Sequence, residues 1–146
     1  MKTAAKTEGA HIVNLASLSA FIGLPSQTSY SLTKAGIQML SESLWIELYD
    51  DNVGVTSVHP GAIKTDMMKA TLAESDNLKI AERNFRMAQK MGVTPEYACK
   101  RIIKAIERNK SRVRIGLDAI LTEWLKRLLP KFALRPLVWA YRTTRH

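Results

Sequence analysis

The chain has 146 residues, 46% of them apolar and 24% charged, an ordinary globular composition large enough for one domain with a buried core. It contains no apolar run of the ~18 residues that would read as a membrane span, and its opening Met1–Gly9 lacks the apolar stretch of a secretory signal. The single cysteine, Cys99, excludes an intramolecular disulfide and fits a reducing, cytoplasmic setting; its place in a helical pattern reads as a small buried hydrophobe.

The net charge of +9 is unevenly spread: residues 1–60 hold three Lys/Arg against five Asp/Glu, and residues 61–146 hold nineteen against eight. A basic second half suits an anionic partner such as a cofactor phosphate, an acidic lipid surface or nucleic acid, or it serves as a solvated face.

In chain order, His11-Ile12-Val13-Asn14-Leu15-Ala16 reads as a short buried strand. Ser17 at its end would lie at the carboxyl edge of an open sheet, where α/β folds bind ligands. Ser19 is a second hydroxyl nearby, either a substrate contact or a group satisfying the loop backbone. Thr28 or Ser29 is expected to cap a helix running to about Asp50, with an apolar stripe of Leu32, Gly36, Met39, Leu40, Leu44 and Leu48. Ala35 and Gly36 leave room for another backbone.

Tyr30 and Lys34 stand four apart on that helix and therefore share a face. An ammonium beside a phenol stabilises phenolate, so the phenol exchanges a proton more readily. With Ser17 available to hold a substrate oxygen, the set suits carbonyl–alcohol redox chemistry.

Asp50–Gly54 reads as a turn leading into a β-branched, buried parallel strand, Val53–His59, which completes a βαβ unit. Pro60-Gly61 is expected to end the strand, with Gly61 allowing close approach to a flat ligand. His59 is either packed or a general acid. From Asp66 to Gly92 the chain is polar and helix-prone, with Met67, Met68, Leu72, Leu78, Ile80, Phe85, Met87 and Met91 either lining an adaptable pocket or forming ordinary core.

Thr94-Pro95 should start a helix whose stripe is Ala98, Ile102, Ile103 and Ile106, and Ser111–Gly116 a last short strand. The tail is amphipathic and basic, with Trp124, Trp139 and Tyr141. It can lie in a membrane interface, cover a subunit seam or cover a cleft. No nucleic-acid-binding motif accompanies its charge, so nucleic acid is not an expected partner.

Ser17, Tyr30-x-x-x-Lys34 thirteen residues on, and Pro60-Gly61-Ala62-Ile63-Lys64-Thr65 after a valine-rich strand together resemble the C-terminal half of a short-chain dehydrogenase/reductase. The resemblance implies an α/β fold, a Rossmann-like doubly wound parallel sheet that is incomplete, with about three strands and flanking helices. Residues 1–118 would form its C-terminal part, with a catalytic segment at 11–66 and a substrate lid at 67–92, and residues 119–146 a basic extension.

It further implies NAD or NADP as cofactor, with no metal. Ser17 would orient a small carbonyl or alcohol substrate beside Ser19, Tyr30 would be the acid/base, and Lys34 would tune it and hold the ribose. Pro60, Gly61, Ile63 and Thr65 would complete the nicotinamide site. A homo-oligomer would pack through the 28–50 helix.

The family's glycine-rich phosphate turn and Asn-Asn-Ala-Gly stretch are not in the sequence. The chain is thus expected to begin inside the helix before the serine strand, as a truncated oxidoreductase or as a non-catalytic fragment that pairs with a fuller relative. Substrate, direction and the choice between NAD and NADP stay open.

Overall fold

A computed structural model describes residues 9–65 and 78–145. Three parallel strands form one sheet in the order β1-β2-β3. Strand β1 (Ala10–Leu15) pairs with β2 (Val53–Pro60) from Ala10 opposite Val53 to Leu15 opposite Val58. Strand β3 (Arg112–Ile115) lies on the other side of β2, with Ser57 opposite Arg112 and Pro60 opposite Ile115. Helix α1 (Thr28–Glu47) joins β1 to β2, α2 (Leu78–Met91) and α3 (Pro95–Glu107) precede β3, and α4 (Leu117–Leu128) and α5 (Arg135–Arg145) follow it. This is the incomplete α/β sheet with flanking helices that the motifs imply.

The middle strand is paired on both sides, and Val53, Val55, Thr56, Ser57, Val58 and His59 are all buried. Alternation along β2 divides the core between its two faces. Val53 and Val55 pack with Leu48 against Leu44 and Trp45 of α1, while Val58 packs with Val113, Ile115, Ala98 and Ala105 under α3. The buried hydroxyls are satisfied: Thr56 Oγ1 donates to the Lys110 carbonyl at 2.6 Å and stands 2.7 Å from His11 Nε2.

Several expectations change at this level. Strand β1 is only part-buried, with Val13 and Leu15 exposed, because among the described residues only one of its edges is paired. Neither Thr28 nor Ser29 caps α1; Gln27 holds the cap position without a side-chain bond, and the helix ends at Glu47, before a 3-10 turn at Tyr49–Asp51. Asn52 closes that turn at φ 53°, a left-handed conformation that asparagine tolerates.

Of the stripe assigned to α1, only Leu44 and Leu48 face the sheet, and Leu32, Gly36, Met39 and Leu40 are exposed. The inward face carries Ser31 and Ser41 instead. Ser41 Oγ donates to the Ile37 carbonyl at 2.6 Å and accepts from Asn14 Nδ2 at 3.0 Å, so small hydroxyls let the helix sit close to β1.

Strand β2 does not stop before Pro60. The ladder bond at this point runs from the Gly61 N–H to the Ile115 carbonyl at 2.8 Å, so the missing proline N–H breaks nothing. Thr94 does cap α3, accepting from the Tyr97 N–H at 3.3 Å, with Pro95 in the first turn. The contact face of α3 is narrow and lined by Ala98 and Ala105. Ile103 is therefore exposed, and Cys99, about 100° round from Ala98, is exposed and not a core residue. Met67, Met68 and Leu72 of the expected lid lie outside the described residues; Met91 at the end of α2 is exposed.

Candidate active site

The site grows from the end of β1. The Ala16 N–H donates to the Val58 carbonyl at 2.8 Å, extending the ladder and carrying the next residue, Ser17, into the interior. Ser17 is extended (φ −165°, ψ 168°) and caps the 3-10 turn Leu18–Ala20, its Oγ accepting from the Ser19 N–H at 3.2 Å. Its hydroxyl also meets Ser19 Oγ at 3.3 Å, so the two serines form a buried hydroxyl pair.

The Ser17 backbone is held by His59. Its Nδ1 stands 3.1 Å from the Ser17 carbonyl, which can only accept, so the proton sits on Nδ1 and Nε2 is left to accept from the Ser57 hydroxyl at 3.1 Å. Phe21 stacks on the imidazole, with centroids 4.4 Å apart and planes 20° from parallel, and the Arg112 guanidinium lies 5.7 Å from the Phe21 ring. Burial pushes the His59 pKa down to about 4, helped by the positive Arg112; the bond to Ser17 and the Glu123 and Glu42 carboxylates oppose this. His59 is therefore neutral at physiological pH and packed, which closes the choice its sequence position left open.

The first turns of α1 supply the other two groups. Tyr30 and Lys34 do share a face: Lys34 Nζ lies 5.5 Å from the Tyr30 ring centre. The same ammonium donates to the Leu15 carbonyl at 2.9 Å, tying α1 to the end of β1 two residues before Ser17. Tyr30 is 41% exposed, so its phenol is open to a ligand.

The Pro60–Thr65 segment is fixed from both sides. The Ala62 N–H donates to Asp118 Oδ2 at 2.6 Å, Ile63 bridges Val93, and the Lys64 and Val93 N–H groups reach the Val93 and Ala62 carbonyls at 3.0 Å each. A Cβ on Gly61 would collide with the Asp118 carboxylate, so the close approach that glycine permits here is made by Asp118, where the sequence suggested a flat ligand. Gly92 likewise has no room for a Cβ against the Ala88 and Ala62 carbonyls.

Asp118, Gly92 and Val93 were missed as supports of this segment. The available signals were an isolated acid in a basic tail and a glycine just before a helix cap.

Beside the site lies a largely apolar cavity of about 850 Å³, walled by the Ser19–Pro25 loop, the start of α1 and the inner side of α5. It takes in Ser19 but none of Ser17, Tyr30 or Lys34. Among the described residues, no three His, Cys, Asp or Glu side chains cluster to hold a metal ion.

This strand–turn–helix arrangement agrees with comparisons to known proteins. The family model described as short chain dehydrogenase matches residues 1–76, more than half of the sequence, and the chain belongs to that family. SadH of Mycobacterium tuberculosis, named as an oxidoreductase, is 33% identical over 122 residues, covering 82% of this chain and 44% of its own length. Dehydrogenase/reductase SDR family member 7B of Xenopus tropicalis is 30% identical over 127 residues, covering 86% of this chain and 40% of its own.

Among solved structures, a short chain dehydrogenase from Burkholderia cenocepacia in complex with NADP superposes with a TM-score of 0.71 at 24% identity, over 92% of this chain and 50% of that one. The chain thus spans about half the length of the relatives it matches.

Proposed function

We propose that this chain carries the catalytic part of an NAD- or NADP-dependent oxidoreductase that interconverts a small carbonyl compound and an alcohol. The observation that carries the reading is the double role of Lys34, which stands against the Tyr30 ring and is hydrogen-bonded to the Leu15 carbonyl near Ser17. The donor set fits the nicotinamide-ribose end of a dinucleotide: an ammonium and a phenol at the end of β1, and a rigid backbone segment after the adjacent β2. Lys34 would hold the ribose hydroxyls, with Tyr30 beside it, and Pro60, Ile63 and Thr65 would border the carboxamide.

A bound nicotinamide supplies the hydride chemistry. In the reducing direction Ser17 and Ser19 orient the substrate oxygen, and the Tyr30 hydroxyl passes its proton to that oxygen as the carbonyl carbon is reduced. The Lys34 cation stabilises the phenolate that remains. In the oxidising direction the phenolate takes the proton back. Burial of both serine hydroxyls keeps them from solvent and preorganised.

The test is consumption of NADH or NADPH absorbance with a panel of ketones and aldehydes. Tyr30→Phe is expected to lower turnover by roughly a thousandfold, with the fold unchanged because the phenol is exposed. Undiminished turnover in Tyr30→Phe would remove Tyr30 from the mechanism.

A second reading is favoured by the exposed Leu32, Met39 and Leu40 on α1 and by the edge of β1 that is unpaired among the described residues. In it the chain is a non-catalytic module that pairs through the 28–50 helix with a fuller relative or a second copy. Under both readings we place the protein in the cytoplasm.

A further inference from the structure

Helix α4 is turned inside out. Its charged side faces the protein: Glu123 is buried and accepts from Arg112 and Arg114 of β3 at 2.8 and 2.9 Å and from Arg127 at 3.0 Å. Arg112 also reaches Glu42 of α1, so this network binds α4 to the sheet and to α1. The opposite side of α4 carries Leu117, Leu121, Trp124, Leu125 and Leu128, at steps of three and four, and these are 41–76% exposed. A helix on a globular surface normally shows the reverse pattern. Leu129, Phe132 and Trp139, further along the chain, are exposed as well.

The exposed charge of this part of the chain has one sign. The only acids from residue 117 onward are Asp118 and Glu123, and both are turned inward, Asp118 onto the Ala62 and Ala119 N–H groups. Lys131 and Arg135 are exposed, and the Arg135 guanidinium lies 4.7 Å from the Phe132 ring. Two such faces would repel each other, which disfavours a second copy as occupant. An anionic surface that also accepts apolar side chains matches both properties. Among the described residues no helix is long and apolar enough to cross a membrane, and α4 and α5, with 12 and 11 residues, suit a position within an interface.

We propose that the outward stripe of α4, with the exposed cations that follow it, docks on an anionic phospholipid surface. Trp124 sits at the headgroup level, where indole rings are favoured. The docking is separate from the oxidoreductase reading and needs no nicotinamide nucleotide.

Flotation of the purified chain with vesicles tests it, because aggregates do not float. With phosphatidylcholine vesicles holding roughly 30% phosphatidylserine, at about 0.15 M salt, the chain should float and its tryptophan emission should move to the blue. Pure phosphatidylcholine should bind at least tenfold less. Leu121→Asp with Leu125→Asp should weaken binding at least tenfold, and Lys131→Glu with Arg135→Glu should abolish the preference for phosphatidylserine. Ile46→Asp, at an equally exposed apolar position on α1, should float unchanged.

The proposal is overturned if the chain fails to float with the anionic vesicles, or if the Leu121→Asp, Leu125→Asp protein floats undiminished. It is also overturned by a dimer that those two substitutions dissociate and that excludes vesicles.

Discussion

The Ser17 carbonyl has one partner that reaches it across 42 residues of sequence, the buried Nδ1–H of His59. A histidine whose pKa falls to about 4 on folding binds fewer protons in the native than in the unfolded chain between pH 6.5 and 4. Its contribution is therefore complete above pH 6.5 and is lost as the pH falls through that window, by on the order of 3 kcal/mol. Denaturation midpoints measured from pH 7 to pH 4 should fall steadily, and His59→Gln should be less stable at pH 7 with a flatter pH dependence. An equally steep profile in His59→Gln would show that other groups carry the acid sensitivity; His11, whose pKa burial also lowers, is the first candidate.

At this scale the placement of Ser17 at a strand end, and of Tyr30 and Lys34 on one helix turn, was legible because spacing fixes both. The packed state of His59 was not, because a strand-end histidine acquires its meaning from Phe21, Ser57 and the Ser17 carbonyl, which only folding brings together.

At the scale of elements, the start of α4 is pinned to the segment after β2. Asp118 fills the space beside Gly61 and accepts from the Ala62 N–H. Gly61→Ala should cost about 1–3 kcal/mol through overpacking, and in an Asp118→Ala background the same change should cost markedly less. Additive losses in this double-mutant cycle would show that the two positions do not meet.

The helices of this chain also show what periodicity leaves open. The stripe on α1 and the amphipathic character of the tail were visible as patterns, but a pattern does not say which side faces the protein. On α1 the inward side carries Ser31 and Ser41 beside Leu44 and Trp45, because the helix lies close to β1. On α4 it is Glu123, because β3 presents two arginines that require a buried carboxylate.

At the scale of the whole molecule, three parallel strands, of which β1 and β3 are each paired on one side among the described residues, place Ser17, Lys34 and the Pro60–Thr65 segment at the carboxyl ends of adjacent strands. The succession of elements could be read in advance, and a helix between two β-branched runs implied that β1 and β2 are parallel; the place of β3 beside β2 could not. The limited burial of β1 could not, because it depends on what lies beside its second edge.

The central claim is that this chain's own ammonium receives the nicotinamide nucleotide. Titration of the purified protein with NADH and with NADPH, following nicotinamide fluorescence, tests it directly. Saturable enhancement with at least one nucleotide, weakened tenfold or more by Lys34→Ala while the circular dichroism spectrum is unchanged, is the predicted result. No saturable signal with either, or the same affinity in Lys34→Ala, would contradict it.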